Sequence, residues 1–349
     1  MKEQFIRFNN DYSEGALPEI ISKFVETNMV QTAGYGEDPY CEHARKLIQN
    51  TFNVHNADVH FLVGGTQANL TVIAAALRPH QAVICAESGH INVHETGAIE
   101  ACGHKVIGLP HQDGIITAGQ VDRYVKDHYN DETHEHITQP KLVYISQPTE
   151  LGTLYSKSEL QALKNTCEAH DLILFIDGAR LGYGFTSDAN DIEIEAYGAL
   201  SDVFTIGGTK LGALFGEAVV INRSDLKKDF RYIMKQKGGM LAKGRLLGLQ
   251  FAAFFEGKLY FDASRHANVM ANLIRDALVE RGYKAFVDSP TNQLFFIIPD
   301  DILKMISRKF TYAYIERVSD KESAIRFCTS WATKAEDVET LIAFIKQLP

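Results

Sequence analysis

No apolar run in this chain approaches the roughly 20 residues needed to cross a bilayer. Its start, Met1-Lys2-Glu3-Gln4, carries no apolar leader core. Those absences predict a cytoplasmic protein without a membrane anchor. Basic charge is also scarce: 35 Lys and Arg stand against 44 Asp and Glu, a net charge of −9. That argues against a nucleic-acid binder and against attraction to anionic membranes. Cys41, Cys85, Cys102, Cys167 and Cys328 are odd in number, scattered and without a CxxC pair. A disulfide scaffold is thereby excluded, and reduced thiols fit. There is no internal repeat, low-complexity tract or long linker. His134 and His136 sit together in Asp-Glu-Thr-His-Glu-His, but no second cluster at ligand spacing joins them, so no metal is expected. What is present is a globular composition, 45% hydrophobic and 23% charged over 349 residues. That length suffices for one large core and a smaller second domain.

From residue 59 the pattern alternates. Apolar runs at 59–63, 82–85, 105–109, 142–146, 172–176, 203–206 and 218–221 read as strands. Helical spacing fills 70–77, 93–102, 118–129 and 157–170 between them. Alternation of this kind predicts an α/β fold, a mostly parallel sheet covered on both faces by helices. Ahead of it come a polar arm, helices at 17–30 and 39–52, and a glycine loop, Gly34-Tyr35-Gly36. Asp38-Pro39 reads as an N-cap followed by proline at the first helical position. After Asn222 the order changes to helices at 226–236, 239–255 and 261–281. Strands at 294–298, 310–315 and 324–328 and a helix at 338–347 follow, an α+β pattern. The expected domains are an arm at 1–14, a large domain at 15–256 and a small C-terminal domain at 257–349.

Two strand ends carry the chemistry. The run 203–206 ends in Gly207-Gly208-Thr209-Lys210, so one lysine stands where an α/β sheet presents ligands. A lysine there is partly desolvated and can act as a nucleophile, although a surface lysine in a glycine turn has the same pattern. The run 172–176 ends in Asp177-Gly178-Ala179-Arg180. A strand-end carboxylate beside a strand-end lysine is what pyridoxal phosphate requires. The lysine bonds its aldehyde and the carboxylate partners its pyridinium nitrogen. Gly64-Gly65-Thr66-Gln67 turns from strand into helix, and backbone N–H groups there bind phosphate; a plain tight turn is the alternative. No Gly-Lys-Ser/Thr follows, so it is not a P-loop. His90 follows another strand end, where an imidazole can stack on a planar cofactor or exchange protons, or be an ordinary loop histidine. Glu95, a turn later, is placed to orient a histidine. Arg180 and Arg326 offer forks that match an α-carboxylate, or for Arg326 an ion pair on a strand face.

Together these residues resemble the fold-type I pyridoxal-phosphate family of threonine aldolases and β-eliminating lyases, over nearly the whole chain. The resemblance implies that Lys210 carries the cofactor. Asp177 then partners the ring nitrogen, Gly65 and Thr66 bind phosphate, His90 stacks on the ring, and Thr209 and Arg180 complete the cofactor's surroundings. It also implies a substrate site of Asn10, His136, Arg180 and Arg326. There Asn10 replaces an aldolase serine in the arm Phe8-Asn9-Asn10-Asp11, and His136 stands near the substrate hydroxyl. Departures mark a divergent branch. Thr209 precedes the lysine where serine is familiar, Ser146-Gln147-Pro148-Thr149-Glu150 replaces Glu-Asn-Thr, and Gly238–Arg245 replaces Gly-Gly-Gly-Met-Arg-Gln.

The implied activity is cleavage of the Cα–Cβ bond of L-threonine or L-allo-threonine to glycine and acetaldehyde. The base is His90, His136 or a water they hold. Two alternatives use the same scaffold: β-elimination or another amino-acid reaction, and a non-catalytic amino-acid-binding relative. A homodimer or homotetramer is implied too. The arm and the Tyr35 loop are expected to gain little by packing on their own sheet, and Lys243 and Arg245 to reach a partner's cofactor phosphate.

Overall fold

Short apolar runs bounded by turns become strands buried on both faces. Every residue of the strands at 81–86, 173–177, 203–207 and 217–221 is buried, as a sheet between two helical layers requires. The computed structural model describes residues 5–348; Met1–Gln4, read above as carrying no leader, and Pro349 lie outside the described residues. Its strands are β1 (Ile6–Arg7), β2 (Asp58–Leu62), β3 (Gln81–Ala86), β4 (Lys105–Leu109), β5 (Gln139–Ser146), β6 (Ile173–Asp177) and β7 (Val203–Gly207). They continue with β8 (Glu217–Ile221), β9 (Lys284–Val287), β10 (Gln293–Pro299), β11 (Phe310–Thr311), β12 (Ala313–Ser319) and β13 (Glu322–Cys328).

The main sheet has the order β2-β8-β7-β6-β5-β3-β4. Only β8 runs against its neighbours; the other pairings are parallel. The carboxyl ends of β2, β3, β5, β6 and β7 therefore share one edge with the amino end of β8. The chain leaves β3 outward for β4 and then returns to β3's other side as β5, which opens a crevice at that edge. Local chemistry sets the flanking helices. Asp38 caps Pro39–Thr51 through the Cys41 N–H at 2.9 Å. Thr117 and Ser156 each close a capping box at the starts of Ala118–Asn130 and Lys157–Ala169.

A second core lies around the four-stranded antiparallel sheet β12-β13-β10-β9. The helix Leu259–Glu280 serves both cores, with Tyr260 and Ala267 in the first and Ile274 and Leu278 in the second. The arm belongs physically to this second unit. β1 pairs in parallel with β11, Phe8 is buried in the second core, and the Phe8 carbonyl accepts from the Cys328 N–H at 2.7 Å. The arm, expected to gain little on its own sheet, packs instead on the second unit of its own chain: Phe8 supplies an apolar anchor and the backbone supplies strand pairing. The Tyr35 loop is likewise held internally, Tyr35 N–H donating to the Ala242 carbonyl at 3.3 Å.

Three expected elements divide and a fourth is shortened; among those that divide is the helix at 226–236, which becomes Ser224–Lys227 and Phe230–Gln236 around Asp229 at φ 62°. The helix at 93–102 becomes His90–Val93 and Ala98–Ala101, because Thr96 and Gly97 both take positive φ, 54° and 71°. The helix at 239–255 begins only at Arg245. The strand at 310–315 splits into β11 and β12.

Candidate active site

At the shared edge each strand delivers one piece of a cavity. Gly65 follows β2 and His90 follows β3. Ser146 ends β5 with Pro148, Thr149 and Glu150 beyond it. Asp177 ends β6 with Ala179 and Arg180, and Lys210 follows β7. The β6 and β7 exits pass backbone against backbone. A Cβ on Gly207 would lie 2.2 Å from the Ala179 carbonyl oxygen, so glycine is required there for Lys210 to turn into the cavity.

The Lys210 amine has no hydrogen-bond or ion-pair partner among the described residues. Burial holds its pKa below the ordinary lysine value and the Arg180 charge adds to this, against weaker pulls from Asp11, Glu217 and Asp177. Asp177 is buried and well supplied with donors. Its Oδ1 accepts from the Ala179 N–H at 2.8 Å; its Oδ2 accepts from Tyr144 Oη at 2.7 Å and Asn69 Nδ2 at 2.9 Å. Burial alone would raise its pKa, but the electrostatic pull of His90, the hydrogen bonds from Tyr144 and Asn69, and Lys210 bring it below the ordinary value. It is therefore an anion with one lone-pair position to spare.

A hydrogen-bonded circuit ties this carboxylate to His90. Asn69 Nδ2 also donates to Glu95 Oε1 at 2.7 Å, and that oxygen lies 2.8 Å from His90 Nδ1. On the other side, Ser146 Oγ lies 3.3 Å from Tyr144 Oη and donates to Glu150 Oε1 at 2.7 Å. The same Oε1 accepts from the His90 backbone N–H, also at 2.7 Å. The left-handed turn at Thr96-Gly97 follows Glu95 directly. Next to the cavity, the helix Gly65–Ala76 starts with the N–H groups of Gly65, Thr66 and Gln67 unbonded among the described residues, Ala68 being the first to bond back. Space in front of Gly64 and Gly65 is open. Thr66 is exposed there, and the Thr209 hydroxyl accepts from the Gly216 N–H at 3.1 Å.

The arm enters this site through Asp11, which the sequence reading passed over. Arg180 Nε and Nη2 grip Asp11 Oδ2 and Oδ1 at 2.7 and 2.9 Å, and Asn292 Nδ2 donates to Oδ2 at 3.0 Å. Arg180 thus spends half its fork internally and keeps Nη1 for the cavity. Asn10 is turned the other way. Its Oδ1 accepts from Tyr12 N–H and Ser13 Oγ, and it lines a separate surface cleft. Arg326 donates to Gln293 Oε1 and the Asn9 carbonyl, both at 2.9 Å, while its Nε is buried with no partner among the described residues. The Arg326 charge reaches His94, whose pKa is lowered first by burial, then by His90 and Arg326.

His136 is not brought to the site by its own chain. It sits exposed in a single turn, His134–His136, just before β5. The eight residues of β5 separate that edge from Ser146, about 25 Å at strand rise. Arg245 is also committed elsewhere: its guanidinium donates to the carbonyls of Thr27 and Val30. Glu217, at the start of β8, escaped the sequence reading as well. It pairs in register with Gly207 and Leu62, is buried, and its Oε2 has no partner among the described residues. The strand alternation carried no mark of it; only the run Phe215-Gly216-Glu217, a carboxylate at the mouth of an apolar strand, hints at such a group.

The beta-eliminating lyase family matches residues 13–300. The chain belongs to that family. It is 41% identical to a threonine aldolase of Leishmania major of known structure, covering 98% of this chain and 99% of that one with a TM-score of 0.95. A low specificity L-threonine aldolase of Pseudomonas aeruginosa is 28% identical over 99% of both chains. An aspartate aminotransferase of Thermus thermophilus, 14% identical over 99% of this chain and 92% of that one, shares the fold-type I architecture with a TM-score of 0.70. The family member described here is thus a lyase of mostly parallel α/β fold with an antiparallel C-terminal sheet.

Proposed function

We propose that the protein binds pyridoxal 5′-phosphate and cleaves the Cα–Cβ bond of a β-hydroxy amino acid. L-Threonine or L-allo-threonine would yield glycine and acetaldehyde. The single observation that carries this is the Lys210 amine, buried, unpartnered and facing a cavity it shares with the anionic Asp177. The names of the relatives from Leishmania and Pseudomonas support the choice of substrate.

The residues fit the cofactor. Lys210 is the amine for its aldehyde, and Asp177 has the free lone pair a pyridinium N–H needs. The unbonded N–H groups of Gly65, Thr66 and Gln67 at a helix start suit its phosphate. When bound, pyridoxal phosphate supplies a conjugated ring that accepts the electron pair of the broken bond. The chain does the rest. Asp177 holds a proton at the ring nitrogen. His90, its Nδ1 tied to Glu95, presents a fixed imidazole plane. Arg180 Nη1 and the unpartnered Arg326 Nε receive the substrate carboxylate and so set which Cα bond is strained toward cleavage.

The test is turnover of L-threonine and L-allo-threonine by purified protein loaded with pyridoxal phosphate. Glycine and acetaldehyde in equal amounts are expected, and none from Lys210→Ala. Ammonia and a 2-oxo acid without aldehyde would replace this reading with β-elimination.

A second copy of the chain is part of the proposal. Ile21, Val25, Met29 and Val30 expose their apolar side chains beside the half-exposed Tyr35. Such a patch on one continuous segment suits a homodimer or a tetramer of dimers.

A further inference from the structure

Glu150 is a carboxylate in the cavity that the roles above leave unused. Its Oε1 is held by two donors, the His90 N–H and Ser146 Oγ, each at 2.7 Å. No described residue bonds Oε2, and the residue lines the cavity with Lys210, His90 and Arg180. One oxygen is fixed, the carboxylate plane is set by it, and the other oxygen is left to whatever enters.

The other groups at this edge do not offer the same service. Arg180 and a charged Lys210 have no lone pairs. Asp177 already accepts three hydrogen bonds. Thr149 Oγ1 is paired with Thr153 Oγ1 at 2.6 Å. His90 has Nδ1 tied to Glu95. His136, the other base the sequence suggested, stands at the far edge of the sheet. Glu150 is also more basic than an exposed glutamate. Burial raises its pKa, and the hydrogen bonds from Ser146 and the backbone offset this only in part; the Asp177 charge adds to the rise. The ionisable groups around it are Glu95 and His90 after β3, Cys85 on β3, Tyr144 on β5 and Tyr155 beyond it. Asp177 and Arg180 after β6 and Lys210 after β7 complete the surroundings.

We propose that Glu150 is a catalytic residue whose Oε2 accepts the proton of the substrate's β-hydroxyl as the Cα–Cβ bond breaks. The inference rests on the aldol reading above. In the step, the O–H electron pair becomes the second C–O bond of the aldehyde, and the Cα–Cβ pair stays with the glycine fragment. Glu150 passes its proton to solvent and Cα takes one in return, so the protons balance and no co-reactant is needed.

Glu150→Gln tests this without disturbing the frame, because the amide oxygen accepts the same two hydrogen bonds. Acetaldehyde release should fall by about 10²-fold or more. Exchange of glycine's α-proton with deuterated solvent should continue near the wild-type rate, since glycine has no hydroxyl. Two readouts do not depend on turnover. The cofactor absorbance band and the glycine dissociation constant read from it should be unchanged. In the resting protein, a wild-type-minus-variant infrared difference should show a carboxyl that ionises above the ordinary glutamate range. The acidic limb of kcat/KM should follow that ionisation, return shifted in Glu150→Asp and be absent from Glu150→Gln. Wild-type cleavage by Glu150→Gln overturns the proposal. So does loss of glycine exchange together with cleavage, which would make Glu150 a support for His90. Wild-type protein that exchanges glycine protons yet releases no aldehyde from either threonine isomer removes the aldol reading itself, and the proposal with it.

Discussion

Asp11 joins the arm, Arg180 and the second unit in one buried ion pair. Burial pushes its carboxyl up; the Arg180 charge and hydrogen bond, with Lys210 and Asn292, more than reverse this, to about 2. A carboxylate whose folded value lies below its ordinary 3.8 stabilises the fold above that value. The contribution fades as pH falls from there through about 2. Asp11→Asn leaves Arg180 buried and uncompensated, a loss of about 3–5 kcal/mol. Denaturant unfolding of the two proteins should differ by this amount at pH 7 and converge toward pH 2. A constant gap across that range would show that the pair's charge is not what stabilises the arm. Glu217 has the opposite sign. Burial raises its pKa well above the ordinary 4.5, with Lys210 pulling it back only partly. The folded state therefore keeps a proton that the unfolded state releases, and stability is lost as pH rises past 4.5. Cofactor-free Glu217→Gln should melt higher than the parent at pH 8 and no higher at pH 4; equal melting at both would remove the assignment.

At the scale of elements, the Thr96-Gly97 turn shows what the sequence displays and what it conceals. Periodicity in 93–102 favours an unbroken helix, yet two residues at positive φ divide it directly after Glu95, the partner of His90. A side chain on Gly97 strains a left-handed position by about 1–2 kcal/mol. Gly97→Val should therefore lower the melting temperature and, because the turn directly follows Glu95, weaken cofactor binding. A variant with lowered stability but unchanged cofactor affinity would separate the turn from the site. The strands of the main sheet were legible because residues buried on both faces leave continuous apolar runs, and Asp38-Pro39 announced its helix by cap chemistry. Lys210 and Asp177 were legible because they break such runs at their ends. Asp11, Asn69 and Tyr144 were not. They act through partners 169, 108 and 33 residues away, and no local pattern encodes a distance of that kind. Arg245 and His136 are the converse: residue type suggested a site, while the Thr27 and Val30 carbonyls and the direction of β5 hold them away from the Lys210 cavity of their own chain.

For the whole molecule, the proposed dimer needs a surface to meet its second copy. Met29 is 88% exposed and Val25 72%, and these side chains gain about 25 cal/mol for each Å² they lose to a partner. Arg245, by holding the Thr27 and Val30 carbonyls, fixes that segment against the loop 238–244 of its own chain. Lys243 in the same loop is exposed and has no side-chain partner among the described residues. In the proposed dimer it is a cation that could approach the partner's phosphate. Sedimentation of the holoprotein should give a dimer or a multiple of it, and Val25→Glu with Met29→Glu should give monomers. If Lys243 serves the partner's cofactor, Lys243→Ala and Lys210→Ala are each defective for different sites. Mixed and allowed to exchange subunits, they form hybrids in which one site receives both lysines intact. Activity should then appear that neither parent shows. Hybrids that stay inactive, or a charge-reversed monomer with full activity, would place every functional residue within one chain.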